Sequence, residues 1–250
     1  GWRSFMAAAS DVAAMGAAPW CALSSVVVPD DVGDAALEEL ARGQREAADA
    51  VEAPIVGGNL SRGRTFCVAT TLLGTCERAV LRAGASPGDG VWLAGSVGLA
   101  AAGLRALSAG MDRDDRLHAA VAAWRAPTAL IREGRAMGAV AHAAVDVSDG
   151  LARDAGHLAE ASGVRVVIDE TELRSSAALR GAAEALALDA LDLALYGGED
   201  YALVVASPVP IEGFRQIGHI ADGQGVALRG AAGEHALDTR GFDHFETSAR

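Results

Sequence analysis

An α+β fold in two subdomains is the architecture this sequence predicts, and three observations predict it. Apolar residues make up 51% of the 250 residues, enough to fill one large core or two modest ones. Runs rich in β-branched residues alternate with helical patterns through residues 1–80, which reads as strands and helices sharing a core. Residues 83–90, Ala-Gly-Ala-Ser-Pro-Gly-Asp-Gly, then shift to turn formers before a second series of helices and strands. The division is therefore placed with the remainder of an N-terminal subdomain at 1–80 and a C-terminal α+β subdomain at 81–250.

Each element follows in order. Phe5 to Ala9 is a short apolar stretch, and Ser10-Asp11 offers an N-cap to a second short segment that Pro19 closes. Leu23 to Val28 is a strand ended by Pro29-Asp30-Asp31. Asp34 to Val51 has a helical pattern with an acidic start. Ile55-Val56 is a brief strand running into a glycine-rich turn at Gly57-Gly58-Asn59, and Thr65 to Leu73 is a further strand. In the second half, Val91 to Ala94 leads through the Gly95–Gly98 turn into helices that continue to Ala141. The strand His142 to Val147 enters Ser148-Asp149-Gly150 and a helix through Ser162. A strand at Val164 to Ile168, helices from Leu173 to Ala190, a strand at Tyr201 to Val205 and short strands in the tail complete the chain.

Composition narrows the chemistry. All 21 basic residues are arginine, so a P-loop lysine, a Schiff base and a lysine general base are excluded. Any handling of phosphate must rely on metals, backbone amides and arginine. The 33 acidic residues leave a net charge of −12, which disfavours nucleic acid as the main partner. Cys21, Cys67 and Cys76 are odd in number and lack metal-ligand spacing, so buried free thiols are expected. No apolar run approaches the roughly 18 residues of a membrane span, and no signal peptide opens the chain; a cytoplasmic enzyme is expected. The first residue is not methionine and runs straight into an apolar segment, so the chain reads as starting inside a domain.

The strongest motif is Asp146-Val147-Ser148-Asp149-Gly150-Leu151. Two carboxylates three positions apart, between a strand and a helix, can meet at one magnesium ion, while Ser148 and the following amides sit where a helix N-terminus can accept a phosphate. An ordinary helix cap explains the same residues. Ser10-Asp11 invites both readings again, and two such junctions facing each other would build a multi-carboxylate site. Gly57-Gly58-Asn59 allows close backbone approach to a nucleotide or is simply a β-turn; Asn59 is the sole asparagine of the sequence. Arg82 could clamp phosphate oxygens or be a solvated surface residue. Gly197-Gly198-Glu199-Asp200-Tyr201 could set a carboxylate at a strand mouth or be a plain turn.

Taken in order, these pieces resemble the thiamine-monophosphate kinase family, within the wider superfamily of aminoimidazole-ribonucleotide synthetase and selenophosphate synthetase. The resemblance rests on Ser10 to Ala17, Gly57 to Asn59, Leu81 to Ala85 with Pro87-Gly88-Asp89, Asp146 to Leu151 with Asp154, Gly197 to Tyr201, and Gly241 to Phe245. It implies a synthetase-like fold with mixed sheets and helices packed on one face of each. It also implies a homodimer formed through strands of the first half, and ATP-dependent phosphorylation of thiamine monophosphate with Mg2+. By analogy Asp11, Asn59, Asp146 and Asp149 are metal ligands, and Gly58, Asn59, Arg82 and Ser148 contact ATP. Glu199 holds the thiamine moiety, with Phe242 stacking on it, and no residue need serve as a strong catalytic base. The family places a further metal loop upstream of residue 1, so this length of chain alone is expected to be inactive or nearly so. Two other readings stay open: a superfamily relative that activates an amide or selenide with ATP, and a nucleotide-binding or dimerisation module.

Overall fold

The computed structural model describes residues 1–241. Helix α1 (Trp2–Ala14) is one continuous helix. Its alanine-rich sequence favours the helix throughout, and Phe5, Met6, Ala9, Val12 and Ala13 line a single buried face. Ser10 and Asp11 therefore lie in its last turns and do not cap a second helix. Strand β1 (Ala18–Val28) follows, then α2 (Asp34–Ala50), β2 (Ile55–Arg62) and β3 (Cys67–Thr75). These strands form a mixed sheet in the order β2-β1-β3, with β2 parallel and β3 antiparallel to β1. Pro19 lies inside β1, beside the break in pairing between Pro19 and Cys21, where a missing donor is tolerated.

The expected glycine turn at Gly57–Asn59 is instead part of β2. Gly58 sits at φ +151°, and a Cβ there would lie 1.7 Å from the Ser24 carbonyl oxygen. The glycine permits close approach of two paired strands rather than a chain reversal. Of the cysteines, Cys21 is buried, whereas Cys67 and Cys76 are exposed free thiols. Cys67 starts β3, whose residues alternate in exposure because only one face meets α1.

The second sheet has seven strands: β4 (Gly90–Ala94), β5 (Ala143–Asp146), β6 (Arg165–Asp169), β7 (Leu203–Ser207), β8 (Arg215–Ala221), β9 (Gly225–Gly230) and β10 (Gly233–Ala236). Their order is β10-β9-β6-β8-β4-β7-β5, antiparallel except for the β6–β9 pair. Helices α3 (Leu99–Ser108), α4 (His118–Arg125), α6 (Leu151–Ser162), α8 (Ala177–Leu186) and α9 (Ala190–Tyr196) supply the main core with Ala143, Val145, Val204 and Ala206. At the β7–β5 end the opposite face is covered too. Ala144, Leu203 and Val205 pack there with Ala13 and Ala14 of α1 and Met137 of α5 (Ile131–Met137). Burial on both faces is why β5 and β7 read as unbroken apolar runs. The short α7 (Glu170–Leu173) follows β6. Among the described residues no helix is long and apolar enough to cross a membrane.

Because α1 touches β3, α2, α5 and β5, it joins the two sheets. Its last turns thus meet the C-terminal end of β5, and the site forms at that junction.

Candidate active site

Asp146 ends β5 and is only 5% exposed. Ser10, fully buried in α1, donates its hydroxyl to Asp146 Oδ2 at 2.7 Å. The two Ser/Asp segments singled out in the sequence therefore face one another, through a serine–aspartate bond. Burial pushes the Asp146 carboxyl up to about 6; the Ser10 bond opposes that rise, and the negative charge of Asp11 adds to it. Burial also raises Asp11, while Arg82 pulls it down. Two carboxylates sharing a partly dry site resist ionising together, and Arg82 only partly offsets this.

Asp11 and Asp146 stand in the wall between two concavities. One, of about 210 Å³, is lined by both aspartates with Met15, Val80, Leu81 and Arg82. The other, of about 290 Å³, is lined by the same two aspartates with Ser4, Thr70, Ser148 and Tyr201. Carboxylates thus sit between a guanidinium on one side and hydroxyl groups on the other. The donor set is all hard oxygen, so the residues present fit a magnesium ion.

The loop after β5 is tied down by a residue further along α6. Asp154, 3% exposed, accepts hydrogen bonds from the backbone N–H groups of Ser148 and Asp149, each at 3.0 Å. Those two amides are therefore occupied, and neither Ser148 nor Asp149 caps α6, whose N-cap is Gly150 with no side-chain bond. Burial raises the Asp154 carboxyl to about 7, against the two amide bonds and with help from Asp146 and Asp149. Asp149 lies with Asp154 and His157, the three offering ligand atoms within 4.8 Å of one another. It also faces Arg153 at 3.8 Å.

A second loop, Gly197–Tyr201, is zipped onto the first. Glu199 N–H donates to the Ser148 carbonyl at 2.8 Å and Tyr201 N–H to the Val147 carbonyl at 2.9 Å. Gly198 runs so close that a Cβ would lie 2.8 Å from the Ser148 carbonyl oxygen, which restricts the position to glycine. Glu199 and Tyr201 both adopt positive φ, 60° and 51°, a strained conformation that persists only where surroundings enforce it. Asp200 provides the enforcement: its carboxylate accepts from Gly98 N–H at 2.6 Å and Ala100 N–H at 3.1 Å, capping α3. Desolvation raises it to about 7 against those bonds. Tyr201 in turn donates its hydroxyl to Glu199 Oε2 at 2.9 Å, and burial raises its phenol beyond the ordinary range.

Of the residues singled out in the sequence, the structure gathers Asp11, Asp146, Arg82 and Ser148 around the paired concavities, with Glu199 beside them through Tyr201. Gly58 and Asn59 lie on the exposed edge strand β2, opposite Ser24 and Ser25, and line neither concavity. Phe242 lies outside the described residues. Thr70, in the larger concavity, and Arg3, which donates to Glu199 Oε2, were not singled out, and Tyr201 was named only as the end of the Gly197–Tyr201 motif. Thr70 and Arg3 carry no local signal, because long-range packing alone brings them in. Tyr201 follows directly on the Glu199-Asp200 pair, and two acidic residues after paired glycines were a usable pointer to it.

Residues 1–76 match the family model described as AIR synthase related protein, N-terminal domain. Residues 86–229 match its counterpart, AIR synthase related protein, C-terminal domain. The chain is 33% identical over 250 residues to thiamine-monophosphate kinase of Aquifex aeolicus, covering 98% of this chain and 80% of the relative. It is 38% identical over 226 residues to thiamine-monophosphate kinase of Mycobacterium tuberculosis, covering 88% of this chain and 67% of the relative. Among solved structures it is similar to AaThiL complexed with AMPPCP and TMP, with a TM-score of 0.91 and 32% identity. That alignment covers 98% of this chain and 79% of the other.

Proposed function

The chain belongs to the thiamine-monophosphate kinase family of AIR synthase related proteins, and from that premise we propose the reaction and the part each residue plays in it. The protein is a kinase that uses ATP to phosphorylate thiamine monophosphate, giving thiamine diphosphate and ADP. The observation that carries this reading is the site itself: carboxylates between two concavities, Arg82 on one side and the Tyr201–Glu199 loop on the other. A related structure at 32% identity holds AMPPCP and TMP together, the pair of ligands such a site has to bring end to end.

In the proposed reaction an oxygen of the acceptor phosphate forms a bond to the γ-phosphorus as the bond to the β-phosphate oxygen breaks, and ADP leaves. The acceptor is already an anion, so no side chain has to remove a proton. What remains is positioning and charge neutralisation. Asp11, Asp146 and Asp149 would hold magnesium, which when bound neutralises charge on the transferring phosphates. Arg82 faces the nucleotide phosphates from the smaller concavity, and the Ser148 side chain lines the larger one between the substrates. Asp154 and Ser10 hold the loop and the Asp146 carboxylate in place. Asn59 and Gly58 belong to the same nucleotide-facing set in our reading and act from β2. The division at residues 80–81, a cytoplasmic location and Phe242 as a stacking partner remain parts of this proposal.

A homodimer is proposed on the three-stranded sheet. Trp20, Leu23, Ile55, Val56, Leu60, Phe66 and Leu73 are exposed on or beside it, and exposed apolar residues gathered on one sheet are the kind of surface that pairs with a partner.

Incubating the natural enzyme with thiamine monophosphate, ATP and Mg2+ should yield thiamine diphosphate and ADP in equal amounts. Asp146→Asn should lower kcat on the order of a thousandfold, the scale of several kcal/mol of lost charge stabilisation. Magnesium-dependent ATP binding without thiamine diphosphate would overturn the kinase reading in favour of a nucleotide-binding module.

A further inference from the structure

Strand β3 turns Thr70 to its less exposed face, opposite Ser24 of β1 in the antiparallel register. Both are reached by Gln44, which is only 4% exposed and shares the buried face of α2 with Ala47 and Ala48. A carboxamide at that depth is tolerated only when its polar atoms are bonded, and here they are. Its oxygen accepts from the Ser24 hydroxyl at 2.9 Å. Its nitrogen donates to Ser4 Oγ at 3.2 Å and to Thr70 Oγ1 at 3.3 Å. One side chain therefore joins α1, α2, β1 and β3. Ser4 donates its own proton to the Gly1 carbonyl at 2.9 Å. Thr70 is different: it accepts from Gln44, and among the described residues its proton has no acceptor. Its side chain lines the larger concavity with Asp11, Asp146, Ser148 and Tyr201.

We propose that Thr70 binds the substrate by donating its hydroxyl to an oxygen of the acceptor phosphate, and that Gln44 is the positioning residue that keeps Thr70 a donor. The proposal rests on the kinase reading above. A hydroxyl can turn either its proton or a lone pair towards a ligand. The Gln44 nitrogen offers only protons, so a Thr70 lone pair faces the buried amide and the O–H is left for the concavity. Ser4 sets which way round the amide lies. Its proton is committed to the Gly1 carbonyl, so the Gln44 atom facing it has to be the donor nitrogen. An ionised phosphate oxygen only accepts, and a fixed O–H suits it better than it suits a magnesium ion, which needs a lone pair. The concavity that Thr70 lines lies on the other side of Asp11 and Asp146 from Arg82. The phosphate it meets is therefore that of thiamine monophosphate rather than one of ATP.

Steady-state kinetics and calorimetry on the natural enzyme test this. Thr70→Val, which keeps the shape and removes the hydroxyl, should raise KM for thiamine monophosphate roughly 10- to 100-fold, the range of a hydrogen bond to a charged group. KM for ATP should stay unchanged, and Thr70→Ser should recover most of the loss. In calorimetry Thr70→Val should weaken thiamine monophosphate by a similar factor and leave thiamine, which has no phosphate, bound as in wild type. Gln44→Met, which keeps the length but has no donor, should raise the same KM by a smaller factor. In that background Thr70→Val should cost clearly less than it does in wild type. An unchanged KM in Thr70→Val overturns the phosphate contact. Equal weakening of thiamine monophosphate and thiamine overturns it too, since a displaced β3 has that effect. Losses that multiply in full in the double variant make Gln44 a packing residue and overturn its positioning role. Should Gln44→Met fail to fold, Gln44→Glu, which keeps size and polarity, takes its place in the cycle. Failure of the wild-type enzyme to make thiamine diphosphate would instead sink the kinase reading and is seen before any variant is made.

Discussion

The two sheets of this protein are built to opposite specifications. In the seven-stranded sheet every residue of β5 and β7 is buried, with helices on one face and α1 and α5 on the other. In the three-stranded sheet nearly every residue of β2 is exposed, Leu60 at 68%. The difference extends to the site. Around the large sheet, buried carboxylates tie the segments together: Asp154 of α6 holds the loop after β5, and Asp200 holds the start of α3. The residues expected from β2, Gly58 and Asn59, stand on an uncovered edge. One half of the site is preorganised within the chain; the residues expected to form the other lie on a strand this chain leaves exposed.

Breaking the comparison at its strongest point means removing charge from the locked half. Asp154 has its carboxyl raised to about 7 by burial, against about 4 in an unfolded chain. A raised folded value means the fold binds the proton more tightly. The stability from this group is therefore complete below about pH 4 and is lost as pH rises through about 7. The loss is on the order of 4 kcal/mol at most. Chelator-treated protein should melt at progressively lower temperature from pH 4.5 to 7.5, with Mg2+ restoring more at the upper end. In Asp154→Asn, which keeps an acceptor for the two amides, that slope should flatten. The remaining slope belongs to Asp146 and Asp200, raised in the same direction. A slope identical to wild type would mean that the buried Asp154 carboxyl does not set the pH dependence.

The next effect sets the sheets directly against each other. Leu203 is fully buried in β7, and Leu203→Ala should cost about 3 kcal/mol, seen as a lower urea midpoint. Leu60→Ser on β2 should leave the stability of the isolated chain within about 0.5 kcal/mol. It should, however, move the protein towards monomer in sedimentation. Equal losses of stability from both would erase the distinction.

How much of this was legible beforehand depended on distance along the chain. Helix α2 and strands β4, β5 and β6 fell where periodicity put them, because propensity and burial agree there. The Ser10–Asp11 segment was read as a cap because a Ser-Asp pair before alanines has the local form of one. Only the packing of α1 against β5, 136 residues away in sequence, turns Ser10 into a donor for Asp146. Gly57-Gly58-Asn59 was read as a turn for a similar reason: paired glycines mark turns by local rule, and the carbonyl of Ser24 that requires Gly58 lies on another strand. The carboxylates that carry the site were visible as motifs. What holds them was not, since Asp154 and Asp200 act through backbone amides that have no sequence signature.

Ser10 offers the smallest and most specific test, because its hydroxyl links α1 directly to the Asp146 carboxylate. The hydroxyl lowers the Asp146 carboxyl against burial and the charge of Asp11. Ser10→Ala removes that opposition without changing volume much, so the carboxyl should rise above its present value of about 6 by roughly one pH unit, the scale of a hydrogen bond to a charged group. A higher value means more neutral Asp146 at neutral pH and a poorer grip on a cation. The acidic limb of kcat/KM should therefore shift upward by about that unit. More Mg2+ should be needed for half-maximal rate at pH 6.5, and the difference from wild type should vanish near pH 9, where the carboxyl is ionised in both. A uniform loss across all pH values would point to a misplaced α1, and the link between the two halves would then be one of packing rather than of charge.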